Sequence, residues 1–165
     1  MTSSDIRIRD YRPSDLDAQI ELWRGSVRQI AGRDYTYEQV MAWAPDDIDR
    51  EAAAARNLSR PVWVAEIGGI MAGYTDLEPN GHLDRMFVHP DYQRLGVASA
   101  LLSKAEAVAK EQGLTRLYSE VSITARPFFE RRAFRVITHQ IVTVRGQKYL
   151  NYRMEKLLSS TSVLG

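Results

Sequence analysis

The sequence predicts an α+β domain: a central mixed β-sheet of about seven strands flanked by helices. Three observations carry this. Short runs with β-like alternation recur between longer stretches of helical spacing, and a Gly-Gly link joins two apolar runs. Near the middle, a strand, a long helix and another strand follow one another, which is the order of a parallel crossover. The 165 residues suit one domain, assigned to 1–158, with 159–165 expected to be a frayed polar tail.

Composition narrows the classes of function. The 22 basic and 21 acidic residues leave a net charge of +1, which gives no electrostatic case for nucleic acid or an anionic membrane as partner. No run approaches the roughly 18 apolar residues of a membrane span. The opening Met1-Thr2-Ser3-Ser4-Asp5 lacks a signal-peptide core, and with no cysteine in the chain the expected location is cytoplasmic. The lack of cysteine also excludes disulfides, thiolate metal sites and a cysteine nucleophile together. Three scattered histidines argue against structural zinc, so no metal is expected.

Taken in order, Ile6-Arg7-Ile8-Arg9 alternates like a half-buried strand. Tyr11 to Asp15 forms a turn with Ser14 as the expected N-cap of a helix carrying Leu16, Ile20, Leu22, Trp23 and Val27, which Gly32 breaks. Arg7, Arg9 and Arg12 read as a solvated face. Two shorter helices follow over Tyr37 to Trp43 and Asp47 to Leu58. Trp23, Trp43 and Trp63 are expected in the core. Pro61 to Ile67 and Ile70 to Leu77 form a hairpin about Gly68-Gly69. Pro79-Asn80-Gly81 then turns the chain into a strand that begins near His82 and ends at Pro90. Val97, Leu101, Ala105 and Val108 mark a long helix that Gln112-Gly113 stops. Leu117 to Val121 is the parallel partner strand. A helix of one or two turns follows within Ser122 to Phe134, and a last hairpin pairs Val136 to Val144 with Lys148 to Leu157. No internal repeat and no second domain are visible.

The chain is organised around Leu83 to Leu102, a strand, a turn and the start of the long helix. The turn Gln93-Arg94-Leu95-Gly96-Val97-Ala98 offers two side-chain donors, one glycine and then small residues. A helix N-terminus has unpaired N–H groups and a partial positive charge, so an anion can sit there, with Arg94 adding a charged fork. A nucleotide P-loop would need Gly-Lys-Ser/Thr before its helix, and a dinucleotide fold would need three glycines; neither is present. The bland alternative is an ordinary strand–helix turn with solvent-facing Gln93 and Arg94.

Gln-x-x-Gly-x-Ala between a strand and a long helix resembles the acyl-CoA-binding signature of the GNAT N-acetyltransferase superfamily. The later stretch resembles that superfamily's Asn-x-x-Ala-x-x-Phe-Tyr-Glu-x-x-Gly-Phe segment. Ser122 stands for the asparagine, Ala125, Phe128, Glu130 and Phe134 match, Phe129 replaces the tyrosine and Ala133 the glycine. Thr124 to Glu130, with Asn151, Tyr152, Met154 and Lys156, is similar to a bacterial subgroup of uncharacterised acetyltransferases. The resemblance spans about residues 6 to 158. It implies acetyl-CoA as co-substrate, held at its pyrophosphate by N–H groups from Gln93, Arg94, Leu95, Gly96, Val97, Ala98 and Ser99. The backbone of Met86, Phe87 and Val88 would pair with the pantetheine arm, beside Thr124, Phe128 and Phe129. One wall of the acceptor pocket would come from about Arg24 to Arg60.

Acetyl transfer to an amine needs a base, because a lysine-like ammonium has a pKa of about 10.4. It needs donors for the oxyanion, and least of all an acid for the departing thiolate. The tyrosine that supplies this acid in many GNAT enzymes is Phe129 here, which leaves Ser122, Thr124, Tyr118, Tyr152 or water as substitutes. For the base, His82 and Asp84 share a strand face, with Glu78 at the preceding turn and Glu120 on the next strand. By resemblance, His82 lies near where some histone-type members keep a catalytic glutamate. The alternatives are that His82 is a strand-edge residue and Asp84 a structural partner of Arg85. His89 and His139 carry no expected role. Two functions follow: an N-acetyltransferase acting by direct transfer to a small-molecule or peptide amine, and a non-catalytic acyl-CoA-binding module. Homodimerisation is left open.

Overall fold

Among the described residues seven strands form, divided into a sheet of four and a sheet of three. The computed structural model describes residues 5–159; residues 160–165 of the expected tail lie outside them. The first sheet has the order β1 (Ile6–Asp10), β2 (Val62–Ile67), β3 (Ile70–Asp76), β4 (Met86–Val88), antiparallel throughout. Its β2–β3 hairpin turns on Gly68 and Gly69, both at positive φ (57° and 80°), as a tight two-residue turn demands. The second sheet has the order β5 (Arg116–Ser122), β7 (Gln147–Leu157), β6 (Arg135–Val144).

The two sheets touch through a parallel bridge between His82 and Tyr118. The strand expected to begin near His82 is therefore two short pieces. Around His82 the chain pairs with β5, through Leu83 N–H to Tyr118 C=O (2.8 Å) and Tyr118 N–H to Gly81 C=O (3.1 Å). From Met86 it pairs with β3 instead. Between the pieces, the buried Asp76 carboxylate accepts the N–H groups of Asp84 (2.9 Å) and Arg85 (3.0 Å). A side chain thus satisfies the backbone where no neighbouring strand does. Beyond His82 the sheets diverge and a wedge opens between β4 and β5.

Helices close the faces. α4 (Val97–Glu111) buries Val97, Leu101, Leu102, Ala105 and Ala109 against the first sheet. It approaches closely at Gly73, where an added Cβ would lie 2.7 Å from Val97 Cγ1 and 2.9 Å from Phe87 O. On the other face lie α1 (Leu16–Gln29), α2 (Tyr37–Trp43) and α3 (Arg50–Leu58). Tyr35 ties this layer to the second sheet: its hydroxyl donates to Leu150 C=O (2.8 Å) and accepts from Ile123 N–H (3.0 Å). The last helix, α5 (Arg126–Arg131), follows β5 and leads to β6.

Two expectations near the N-terminus are corrected. Ser14 is not the cap of α1. A 3₁₀ turn over Pro13–Asp15 precedes the helix, and Asp15 is the organising group, accepting the Arg12 N–H at 2.7 Å. Arg9 is not solvated. Its side chain is 15% exposed and clamps both Asp15 oxygens (2.9 Å each) and Glu66 (3.0 Å), a charge set that proteins bury only when paired. α3 begins at Arg50 rather than Asp47, because Asp49 caps it by accepting from Ala52 N–H.

Candidate active site

Two chambers, of about 530 and 520 Å³, adjoin at the wedge and share Trp43, Met86, Phe87, Ser122, Ala125 and Phe129. One is the cradle chamber, beside the start of α4. Arg94 (φ 63°) and Gly96 (φ 87°) bend the backbone sharply before the helix. The first helical bond runs from Ala100 N–H to Gly96 C=O (3.0 Å), so the N–H groups of Val97, Ala98 and Ser99 precede it. Of the thirteen residues expected to bind a coenzyme, all but Leu95 border this chamber; Leu95 packs partly buried on the core.

Gln93 is not solvent-facing. Its amide donates to Val88 C=O (3.0 Å) and His89 C=O (3.3 Å), pinning the turn to the end of β4. The sequence reading missed Arg33, Arg131 and Arg132, which also line this chamber. Arg132 donates to Ser99 Oγ and stands over the Phe128 ring at 5.4 Å. Thr124 Oγ1 donates to Asp34 (2.8 Å).

The second chamber lies between α1, α3 and the sheets. Trp23 and Trp43 wall it together with Tyr74 and Phe87, so of the three tryptophans expected in the core only Trp63, 4% exposed, is wholly there. Packing on two sides left these indoles an open face that helical spacing does not reveal. Arg145, at the tip of the β6–β7 hairpin, also lines the chamber and donates to Ala42 C=O (2.6 Å).

The acidic candidates gather at one end of it. His82 Nδ1 lies 2.7 Å from Glu78 Oε1 and its Nε2 2.7 Å from Glu120 Oε1, with the ring stacked on Tyr118. Burial pushes the imidazole pKa down, but the hydrogen bonds to Glu78 and Glu120 prevail and hold it above the ordinary 6.5. Glu120 borders the chamber and His82 stands behind it. Asp84 also borders it, but Arg56 and Arg60 (2.7 Å) grip its carboxylate. Burial raises the Asp84 pKa, the guanidiniums outweigh it, and the net shift is downward. Arg85 is not the partner of Asp84; its Nε donates to Asp76 (2.9 Å). Ligand atoms of Glu78, His82 and Asp84 lie within 4.8 Å of one another, yet Arg56 and Arg60 already neutralise that cluster.

Among the candidate hydroxyls, Ser122 borders both chambers, and its Oγ accepts from Ala125 N–H (3.1 Å), leaving its proton to donate elsewhere. Tyr118 and Tyr152 border neither. The Tyr118 hydroxyl accepts from Asn80 (2.7 Å), and Tyr152 lies under the Arg126 guanidinium at 4.3 Å. Phe129, 5% exposed, occupies the junction with its ring edge-on to Phe128 and Phe134.

A split mixed sheet with an anion cradle on one side and a carboxylate–imidazole set on the other defines a class, and the comparisons agree with it. The acetyltransferase (GNAT) domain model matches residues 31–156. The chain is 35% identical over 151 residues to the uncharacterized N-acetyltransferase YafP of Escherichia coli (strain K12), covering 92% of this chain and 95% of that one. It superposes with a TM-score of 0.91 and 30% identity on a GCN5-related N-acetyltransferase from Rhodopseudomonas palustris, over 96% and 99% of the two chains. It superposes with a TM-score of 0.75 and 22% identity on the PaiA N-acetyltransferase of Thermoplasma acidophilum in complex with coenzyme A, over 92% and 98%. The protein belongs to the GNAT family and is an N-acetyltransferase.

Proposed function

We propose that acetyl-CoA is the acyl donor and that the acetyl group passes directly to a primary amine within a ternary complex. The observation that carries this is the meeting of the two chambers at Met86, Phe87, Ser122 and Phe129. Because the chambers share these walls, a donor in one and an acceptor in the other would meet there. The N–H groups opening α4, with Arg94 and Arg132, suit the pyrophosphate of coenzyme A. The free edge of β4 suits the pantetheine amides, which pair as a further strand would. PaiA, which has this fold, was determined in complex with coenzyme A, and this supports the choice of donor.

In this reading the ammonium of the acceptor enters beside Glu120. The His82–Glu120 pair takes its proton, and the freed lone pair attacks the thioester carbonyl. Backbone N–H groups at the splayed β4 receive the oxyanion. The C–N bond forms, the C–S bond breaks, and the second proton of the attacking nitrogen passes to the departing thiolate, relayed by the Ser122 hydroxyl or by water, so that serine ends as it began. No cysteine exists to carry an acetyl-enzyme, so a covalent relay through a thiol is excluded. Asp84, gripped by two guanidiniums, is a positioning residue for the wall that carries Glu120 and Arg85. The test is release of free thiol from acetyl-CoA over a panel of primary amines. Amine-dependent release with simultaneous N-acetyl product supports direct transfer. Acetylated protein that persists without acceptor overturns it.

A further inference from the structure

The second chamber carries a polar pair that the transfer step does not use. Tyr74, on the central strand β3, is 2% exposed and lines this chamber, and its hydroxyl makes no hydrogen bond to any described residue. A tyrosine hydroxyl on a chamber wall ordinarily finds a partner. Beside it, Arg85 is 10% exposed at its side chain, and its guanidinium lies 5.7 Å from the Tyr74 ring centre. Arg85 spends Nε on Asp76 (2.9 Å) and Nη1 on Asn57 (2.9 Å), and its Nη2 has no partner among the described residues. Asn151 Oδ1, on β7, also lacks a partner among the described residues, whereas Gln19 and Asn57 exchange two hydrogen bonds (3.0 and 2.6 Å).

We propose that Tyr74 and Arg85 form the subsite that recognises a carbonyl or carboxylate oxygen on the acceptor. Both groups are donors that want an oxygen. Burial raises the tyrosine pKa well beyond its ordinary range, so the hydroxyl keeps its proton to give. The location fits a group close to the reacting amine. The Tyr74 ring centre is 5.8 Å from that of Phe87, and Phe87 stands at the junction of the chambers. An oxygen held there would belong to the same acceptor whose amine reaches that junction, as in an amino acid or its amide. Ile20, Trp23, Ile48 and Ala52 offer that acceptor's side chain an apolar surface. The inference rests on the second chamber being the acceptor site and names the class of acceptor it selects.

A matched set of ligands tests it: L-leucine, L-leucinamide and 3-methylbutylamine, which share one alkyl group and differ in the oxygen. Affinity is measured by calorimetry on the full chain saturated with coenzyme A, and turnover separately by thiol release. The expected result is that leucine or leucinamide binds at least tenfold tighter than 3-methylbutylamine, and that Tyr74→Phe, with an unchanged melting temperature, abolishes this preference. A gain confined to leucine assigns the oxygen to a carboxylate, and a gain shared with leucinamide assigns it to a carbonyl. Equal binding of all three ligands, or no binding of any, overturns the proposal. So does a preference that survives in Tyr74→Phe. A preference in binding without thiol release from any amine would sink the transferase mechanism while leaving the subsite standing.

Discussion

His82 Nε2 and Glu120 Oε1 stand 2.7 Å apart across the bridge that joins the two sheets. Glu120 faces the acceptor chamber and His82 backs it, with Glu78 2.7 Å from the other ring nitrogen. The arrangement places a proton acceptor at the chamber wall and a second carboxylate behind it.

On the proposed mechanism this geometry sets the pH dependence of the reaction. The pair must be unprotonated to accept a proton, and His82 titrates above 6.5 because the carboxylates outweigh burial. The acidic limb of kcat/KM is therefore expected above 6.5 in the wild type. Glu120→Gln should move it to lower pH by removing one of the two anions that favour the imidazolium. His82→Ala should lower kcat by about 10²–10⁴-fold with coenzyme affinity unchanged. The stability contribution has the opposite sense. A raised histidine pKa stabilises the fold fully below the unfolded value and loses that contribution as pH rises through the folded one. A wild-type limb that stays in place in both variants would remove the pair from the mechanism.

The cradle is tested at Gly96. Its φ of 87° strains any side chain, and a Cβ branch there would meet an approaching pyrophosphate. Gly96→Val should weaken coenzyme A binding at least tenfold, about 1.4 kcal/mol. Arg132→Ala, which leaves the turn intact, should weaken it less and make binding less sensitive to salt. Calorimetry on both variants decides, and unchanged affinity in a folded Gly96→Val would move the pyrophosphate elsewhere.

Phe129 stands where the family resemblance implies a tyrosine, and Ser122 lines the same two chambers. Phe129→Tyr is expected to change kcat by less than tenfold, because a thiolate is already a good leaving group. A larger gain in single-turnover rate would show that thiolate departure limits the natural enzyme.

Asp76 is the anion on which the split of the sheet depends. It is wholly buried and holds Arg85 (2.9 Å), Arg60 (3.4 Å) and two backbone N–H groups. Asp76→Ala leaves two guanidiniums short of a partner and should cost about 3–5 kcal/mol in urea unfolding. A loss below about 1 kcal/mol would mean that water or Glu78 replaces it.

Element order was legible because each element carries its own period or punctuation. The hairpin at Gly68-Gly69 and the helix from Val97 stand almost where local signals put them. Most of the residues read together as a cradle line one chamber, because Met86 to Ser99 lie on one continuous stretch of chain. The lining of the second chamber was not legible. Arg145, Trp23, Tyr74 and Arg56 are brought together from a hairpin tip, two helices and a central strand, and no spacing rule links them. Asp84 and His82 looked equivalent two residues apart, yet Arg56 and Arg60 claim one and Glu78 and Glu120 the other. Arg9 looked solvated because its partner Asp15 was hidden in a turn assigned to Ser14.

On the proposed placement of acetyl-CoA, the divergence of the sheets past His82 would also make the donor a mechanical part of the molecule. The outer edge of β4 carries backbone groups that no strand covers, and a pantetheine arm laid along it would act as a strut between two halves. Occupancy then feeds directly into resistance to unfolding: at a hundredfold excess over Kd a ligand of the folded state contributes about 2.7 kcal/mol. The chain should therefore melt higher and resist proteases longer as acyl-CoA supply rises, so that its abundance tracks the availability of its own donor.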